Sequence, residues 1–286
     1  VTERYGLYYR WHWLQKATKD IDPVYPVMRE YLVERGTSDS QMAWLIFLHV
    51  AYYHLGSALL VFGDNPNPHM PKPDRLKLPT ATERRGHRDP GKLTGHFQAL
   101  FDMFDVFGGP YAALCAPSWT EQIDRLLTVY GNGRWAAYKT AEMAQKVLGR
   151  PIQPTDAQHA DSTGPRKGLA DVFGPQPAGN STAVIADLDR RTTSLAANLG
   201  ETDLGYVETS LCDFHSLLSG HYYLGHDIDA MQAQLYAVPS EETLPIFVAR
   251  RETLPQEYLG EFHGWIGPDA DRKRAFQRTG EILERP

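Results

Sequence analysis

The chain lacks several features that would direct it elsewhere. It has two cysteines, Cys115 and Cys212, in 286 residues. That excludes a disulfide scaffold and a four-cysteine iron–sulfur cluster, and it fits a reducing compartment. No apolar run reaches the length of a membrane span; the longest, residues 42–62, is interrupted by His49, His54, Gly56 and Ser57. The opening VTERYGLYYRWHW has no signal-peptide pattern, so a soluble cytoplasmic protein without a membrane partner is expected. Positive charge is scarce too. A formal net charge of −6 argues against an indiscriminate nucleic-acid binder, and any such surface must be local. Sustained strand-like alternation, internal repeats and P-loop glycine spacing are also missing.

What remains reads as helix. Apolar content of 42% and charged content of 22% are ordinary for a globular enzyme, and the length suffices for a sizeable core. The patterning predicts a mainly α chain in one helical domain over 1–286. Asp22-Pro23 starts a helix with Val27, Met28, Tyr31 and Leu32 on one face. Asp20 and Asp22 either hold a metal or an amine, or cap that helix. Residues 38–62 are apolar nearly all round, as a central core helix requires. His49 and Tyr53 share one face of it, four residues apart, and a buried histidine there is either a hydrogen-bonded core residue or part of a pocket wall with Tyr52 and Tyr53. Five prolines in NPNPHMPKPDRLKLP mark an extended crossing, and residues 93–107 an amphipathic helix.

Cations are concentrated in residues 72–92, where Lys72, Arg75, Lys77, Arg84, Arg85, Arg88 and Lys92 face only Asp74, Glu83 and Asp89. Arg84, Arg85 and Arg88 around Gly86, in TERRGHR, suit bidentate contact with phosphate or carboxylate, or ordinary salt bridging. Further on, LLTVYGNGRWAAYKTAEMAQKVLG reads as helix, glycine turn, helix, over about 119–149. Gly131 and Gly133 make the turn, and Gly149 beside Pro151 ends the second helix. Such a hairpin offers backbone N–H groups to an anion, with Arg134 and Lys139 following. Acids come next, Asp156 and Asp161, within a Gly-, Pro- and Ser-rich stretch over about 157–182 that reads as a flexible loop carrying Arg166. Residues 184–199 form another helix.

A second dense block is YVETSLCDFHSLLSGHYYLGHDIDAMQAQL, with Cys212, Asp213, His215, His221, Tyr222, His226, Asp227 and Asp229 in eighteen residues. Cys212 and His215 with His221 or His226 suggest a metal, but no standard zinc spacing fits. An active-site wall of acid–base and hydrogen-bonding groups is the preferred reading. Phe247, Tyr258, Phe262 and Trp265 are the last apolar anchors, and RKRAFQR is expected as a surface helix.

The hairpin L-x-x-x-Y-G-x-G-R-x-x-x-Y-x-T-A resembles the helix-hairpin-helix of DNA glycosylases, in which a catalytic acid follows the second helix; Asp156 stands near that place. Taken with KDIDPVYPVMREY, QMAWLIFLHVAYYHLGSA, TERRGHR and ETSLCDFHSLLSGHYYLGHDID, it resembles the phage amino acid:DNA transferases. These are relatives of the α-glutamyl/putrescinyl-thymine pyrophosphorylases of thymine hypermodification. The resemblance implies a glycosylase-like helical fold working on double-stranded phage DNA in the cytoplasm of the infected bacterium. It also implies a reaction in which the amine of a free amino acid, glycine foremost, displaces phosphate or pyrophosphate from the C5-methylene of a modified uracil.

In that reading Arg84, Arg85 and Arg88 neutralise the leaving group, and Asp156, Asp161, His215 and Asp227 are candidate bases. Arg166 or Arg134 meets the amino acid's carboxylate. Tyr52, Tyr53 or Tyr222 stacks on a flipped base, with His49 in the same wall. Gly131, Gly133, Arg134 and Lys139 face the DNA. No cofactor is required, although magnesium would suit the leaving group. A base-excising glycosylase using Asp156 and a non-catalytic DNA-binding module are the alternatives.

Overall fold

The computed structural model describes residues 2–256 and Leu259. Among them every regular element is helical. Tyr258, Phe262, Trp265 and RKRAFQR lie outside the described residues. The chain forms two compact units: one from residues 1–23, 153–229 and the stretch from 254, the other from 24–152 and 230–253. Both are assembled from separated segments, so no linker composition marks a boundary and the single-domain reading did not distinguish them.

The larger unit is built on α3 (Asp39–Tyr52), buried on all sides from Ala43 onward. It packs against α4 (Leu55–Asp64), the short α6 (Pro110–Ala113) and α8 (Arg134–Leu148). Trp44 lies 6.0 Å from Phe97 and 6.3 Å from Phe104, on α5 (Pro90–Phe107). The core helix expected over 38–62 is broken in two. Tyr53 turns left-handed (φ 47°) to close α3, and the His54 ring nitrogen then accepts the Ser57 backbone N–H at 3.2 Å to open α4. A histidine cap in an apolar run leaves no composition signal. Helices α2 (Val24–Glu34) and α13 (Thr243–Thr253) pack together, and Phe247 on α13 lies 5.4 Å from Tyr236.

The other unit consists of α1 (Thr2–Thr18), α9 (Thr163–Phe173), α10 (Thr182–Leu199) and α11 (Leu204–Leu218), followed by the start of α12 (His226–Ala237). Helix α9 lies inside the stretch expected as a flexible loop over 157–182, which corrects that expectation. Gly164, Pro165 and Gly168 read as loop punctuation, yet the two glycines are there for contact. A Cβ on Gly168 would sit 2.0 Å from the Leu211 carbonyl oxygen, and one on Gly164 would sit 2.5 Å from Cys212 Sγ. Only bare backbone lets α9 lie this close to α11.

Candidate functional site

The hairpin forms where the glycines place it. Helix α7 (Trp119–Leu127) is capped by the Ser118 hydroxyl, and Trp119 of α7 meets Tyr138 of α8 edge-on at 4.9 Å. Gly131 adopts φ +83°, Gly133 stands extended at the start of α8, and Gly149 closes that helix left-handed at φ 71°. Because the cap position is glycine, the first turn of α8 has no side-chain cap there, and Gly133 itself is exposed. Arg134 stands in that turn, half-buried.

The TERRGHR segment braces this turn from behind. It forms a 3-10 turn over Thr82–Arg88. Arg84, buried, donates to the Gly131 carbonyl at 3.0 Å, and its other nitrogen lies 3.1 Å from His87 Nε2. His87 donates through Nδ1 to the Ala51 carbonyl at 2.7 Å, and His96 through Nδ1 to that of Tyr130 at 2.8 Å. Burial and the neighbouring guanidinium lower His87 to about 4 and push His96 well down, so both rings are neutral. Arg84 is thus a support of the hairpin rather than an exposed phosphate contact, which corrects its expected role. Arg85 and Arg88 of the same turn are exposed.

Lys139 is corrected as well. It is buried and bound to Glu142 at 2.9 Å, as is Lys146, while Tyr25 donates to the same carboxylate at 3.2 Å. Glu142 is held at about 2: burial raises it, but the two ammonium groups outweigh that. Lys139 is therefore turned into the unit and not exposed beside Arg134. Tyr52 is a core residue whose hydroxyl donates to the Arg75 carbonyl at 2.9 Å. His49 is buried and lowered to about 3 by desolvation; its ring lies 5.3 Å from Tyr53, which meets Trp135 edge-on at 4.7 Å.

In the unit containing α1 and α11, carboxylates gather. Asp20, fully buried, accepts from the backbone N–H groups of Gly225 at 2.8 Å, Asp227 at 3.1 Å and Ile228 at 3.3 Å. It therefore caps α12, some 200 residues away, rather than α2. The Tyr222 hydroxyl donates to it at 3.4 Å. Asp213 of α11 accepts from Gln15 Nε2 at 2.9 Å, and Thr209 donates to Asp22 at 3.2 Å. Burial first, and then the charge of Asp227, drive both Asp20 and Asp213 well above the usual carboxylate range; Asp20 and Asp22 add to the effect on Asp213. A carboxylate crowded in this way is a strengthened base, matched to taking a proton from an amine.

Of the residues anticipated as catalytic, Asp227 belongs to this group. His215 does not: its Nδ1 pairs with Asp171 at 2.7 Å, between α11 and α9, half-exposed. Asp156 follows α8 and accepts the Gln158 backbone N–H at 3.0 Å, while Asp161 is exposed. Arg166 donates to the Gly179 carbonyl at 2.8 Å. The metal set drawn from Cys212, His215, His221 and His226 is not assembled. Among the described residues, the only three acids, histidines or cysteines with ligand atoms close enough for one ion are Glu30, Glu34 and Glu252, all exposed. Asp20 and Asp22 had been offered as holders of a metal or an amine or as helix caps, whereas Asp213 was passed over as an actor. Asp213 stood within the His- and Asp-rich block, but nothing local distinguished it from a solvated helix position.

The α-helical protein thus carries a glycine hairpin in one unit and a buried carboxylate group in the other. The amino acid:DNA transferase family model matches residues 73–223, more than half of the chain, and the protein belongs to that family. The match takes in TERRGHR, the hairpin, Asp213 and Tyr222; Asp20 and Asp227 fall outside it. No curated protein matches the chain.

Proposed function

We propose that the enzyme joins the amine of a free amino acid, with glycine the first candidate, to the C5-methylene of phosphorylated or pyrophosphorylated 5-hydroxymethyluracil in phage DNA. A C–N bond forms, the C–O bond to the leaving group breaks, and (pyro)phosphate and one proton are released. The observation that carries this reading, beyond family membership, is Asp213: a buried carboxylate of raised basicity beside Asp20, Asp22 and Asp227. An ammonium does not attack, so the incoming amine must give up a proton, and Asp213 is suited to receive it. Asp227 shares the resulting charge.

The hairpin is the DNA anchor in this reading. The N–H groups of its second helix, which no side chain caps, and Arg134 take a backbone phosphate in the manner of a glycosylase-like helix-hairpin-helix, with Arg85 and Arg88 alongside. The target base leaves the stack to react. Digestion of DNA bearing kinase-treated 5-hydroxymethyluracil, after incubation with the enzyme and single amino acids, tests the assignment by nucleoside mass spectrometry. Transfer predicts a nucleoside carrying the amino acid on its methylene. Free base and abasic sites would instead make the protein a glycosylase.

A further inference from the structure

Around Asp213 is a set of buried polar groups. Tyr8 Oη, Trp11 Nε1, Gln15 Oε1 and Ser210 Oγ are fully buried; among the described residues Trp11 Nε1 and Gln15 Oε1 have no hydrogen-bond partner, and the Tyr8 and Ser210 hydroxyls have only each other. Three of them come from one stripe of α1, at the three- and four-residue spacings that align side chains on a helix face. Each is tied to the carboxylate group. The other end of Gln15 holds Asp213. The Tyr8 hydroxyl lies beside Ser210 and within the field of Asp213. Trp11 meets Tyr222 edge-on at 5.7 Å, and Tyr222 reaches Asp20.

An orphaned buried donor or acceptor costs about 1–3 kcal/mol, so the Trp11 and Gln15 atoms beside a hydroxyl pair call for a partner that belongs there. Their chemistry is specific. Tyr8, Trp11 and Ser210 present three neutral donors, whereas Gln15 Oε1 and the Asp213 carboxylate present acceptors. A zwitterion with a carboxylate and an ammonium one carbon apart satisfies both sides.

We infer that this buried polar set on α1 and α11 is the amino-acid subsite. The α-carboxylate accepts from Tyr8, Trp11 and Ser210, and the ammonium donates to Gln15 Oε1 and Asp213. The inference rests on the transferase reading above and deepens it, because it moves recognition of the carboxylate from Arg166 or Arg134 to uncharged donors. It also places the amine against the carboxylate that receives its proton.

The test uses the full chain and calorimetric titration with glycine, alanine, glutamate and lysine singly, with methylamine and acetate as half-ligands. Tyr8→Phe and Ser210→Ala are the variants, checked for folding by circular dichroism. The expected result is saturable binding of at least one amino acid, weakened about tenfold by either variant, with DNA affinity unchanged and neither half-ligand substituting. If no amino acid binds the folded wild-type chain, or if both variants bind as it does, the inference is overturned. Tyr8→Phe also reports on its own: a Tyr8 hydroxyl that serves only Ser210 predicts unchanged transfer kinetics. The nucleoside assay run in parallel separates the two levels. Transfer with an unaltered KM for the amino acid in both variants rejects the subsite and keeps the transferase; binding without any new nucleoside does the reverse.

Discussion

The proposed base, Asp213, is a single side chain, and one substitution examines it. Asp213→Asn keeps an oxygen for Gln15 and removes a charge held near Asp20, Asp22 and Asp227. Transfer should fall by about 10²-fold or more, the usual worth of a positioned base, while Tm at neutral pH rises because a crowded charge is gone. Loss of activity with a lowered Tm would make Asp213 a structural residue. Asp20→Ala, in contrast, strips three backbone N–H groups at the start of α12 of their acceptor and should cost ~2 kcal/mol in denaturant unfolding. At this scale the sequence was half legible. It drew attention to Asp20, Asp22 and the block around Asp213, but chose His215, which the structure pairs with Asp171. Burial decides between such residues. For Asp20 it comes from a partner some 200 positions away, beyond the reach of any local pattern.

The elements were read best where a glycine had to be a glycine. The hairpin bounds, Trp119–Leu127 and Arg134–Leu148, follow from the positive φ of Gly131 and the left-handed cap at Gly149. They were misread where a glycine served packing instead of turning, as in α9. Both kinds make predictions. Gly168→Ala would press a methyl group onto the Leu211 carbonyl 2.0 Å away, and should destabilise the chain by about 3 kcal/mol as read by chemical denaturation. Gly131→Ala meets both a positive φ and His87 Nε2 at 3.0 Å. It should cost ~1–2 kcal/mol and weaken DNA binding more than amino-acid binding; equal loss of both would separate the hairpin from DNA. Arg84 and His87 belong to the same device, since they fix the turn from which the N–H groups project.

Across the whole molecule, titration sets a bounded optimum of stability. Burial holds His12, His54, His87 and His159 near 4 and His49 near 3. Each is neutral when folded and titrates at about 6.5 when unfolded. Their contribution is complete above pH 6.5 and is lost as pH falls toward 4. Asp20 and Asp213 act oppositely. Their raised values favour the folded state below the ordinary carboxylate range and lose that advantage as pH rises through them. Thermal unfolding from pH 4 to 9 should therefore show a steep acid flank from the histidines, and Asp213→Asn should raise Tm at every pH above the ordinary carboxylate range. The helical class was legible at this scale from periodicity alone. The two units were not, because each is closed by segments distant in the chain. Charge was legible too: a chain of net −6 must meet DNA through a local surface, so binding should depend on salt through a few phosphate contacts only.

The central claim is that amine transfer to a modified base is carried out at the Asp213 group. The most direct measurement is mass spectrometry of nucleosides from kinase-treated 5-hydroxymethyluracil DNA incubated with one amino acid and either the wild-type enzyme or Asp213→Asn. The account predicts a nucleoside bearing the amino acid with the wild-type enzyme and about a hundredfold less with the folded variant. Equal product from both would contradict it.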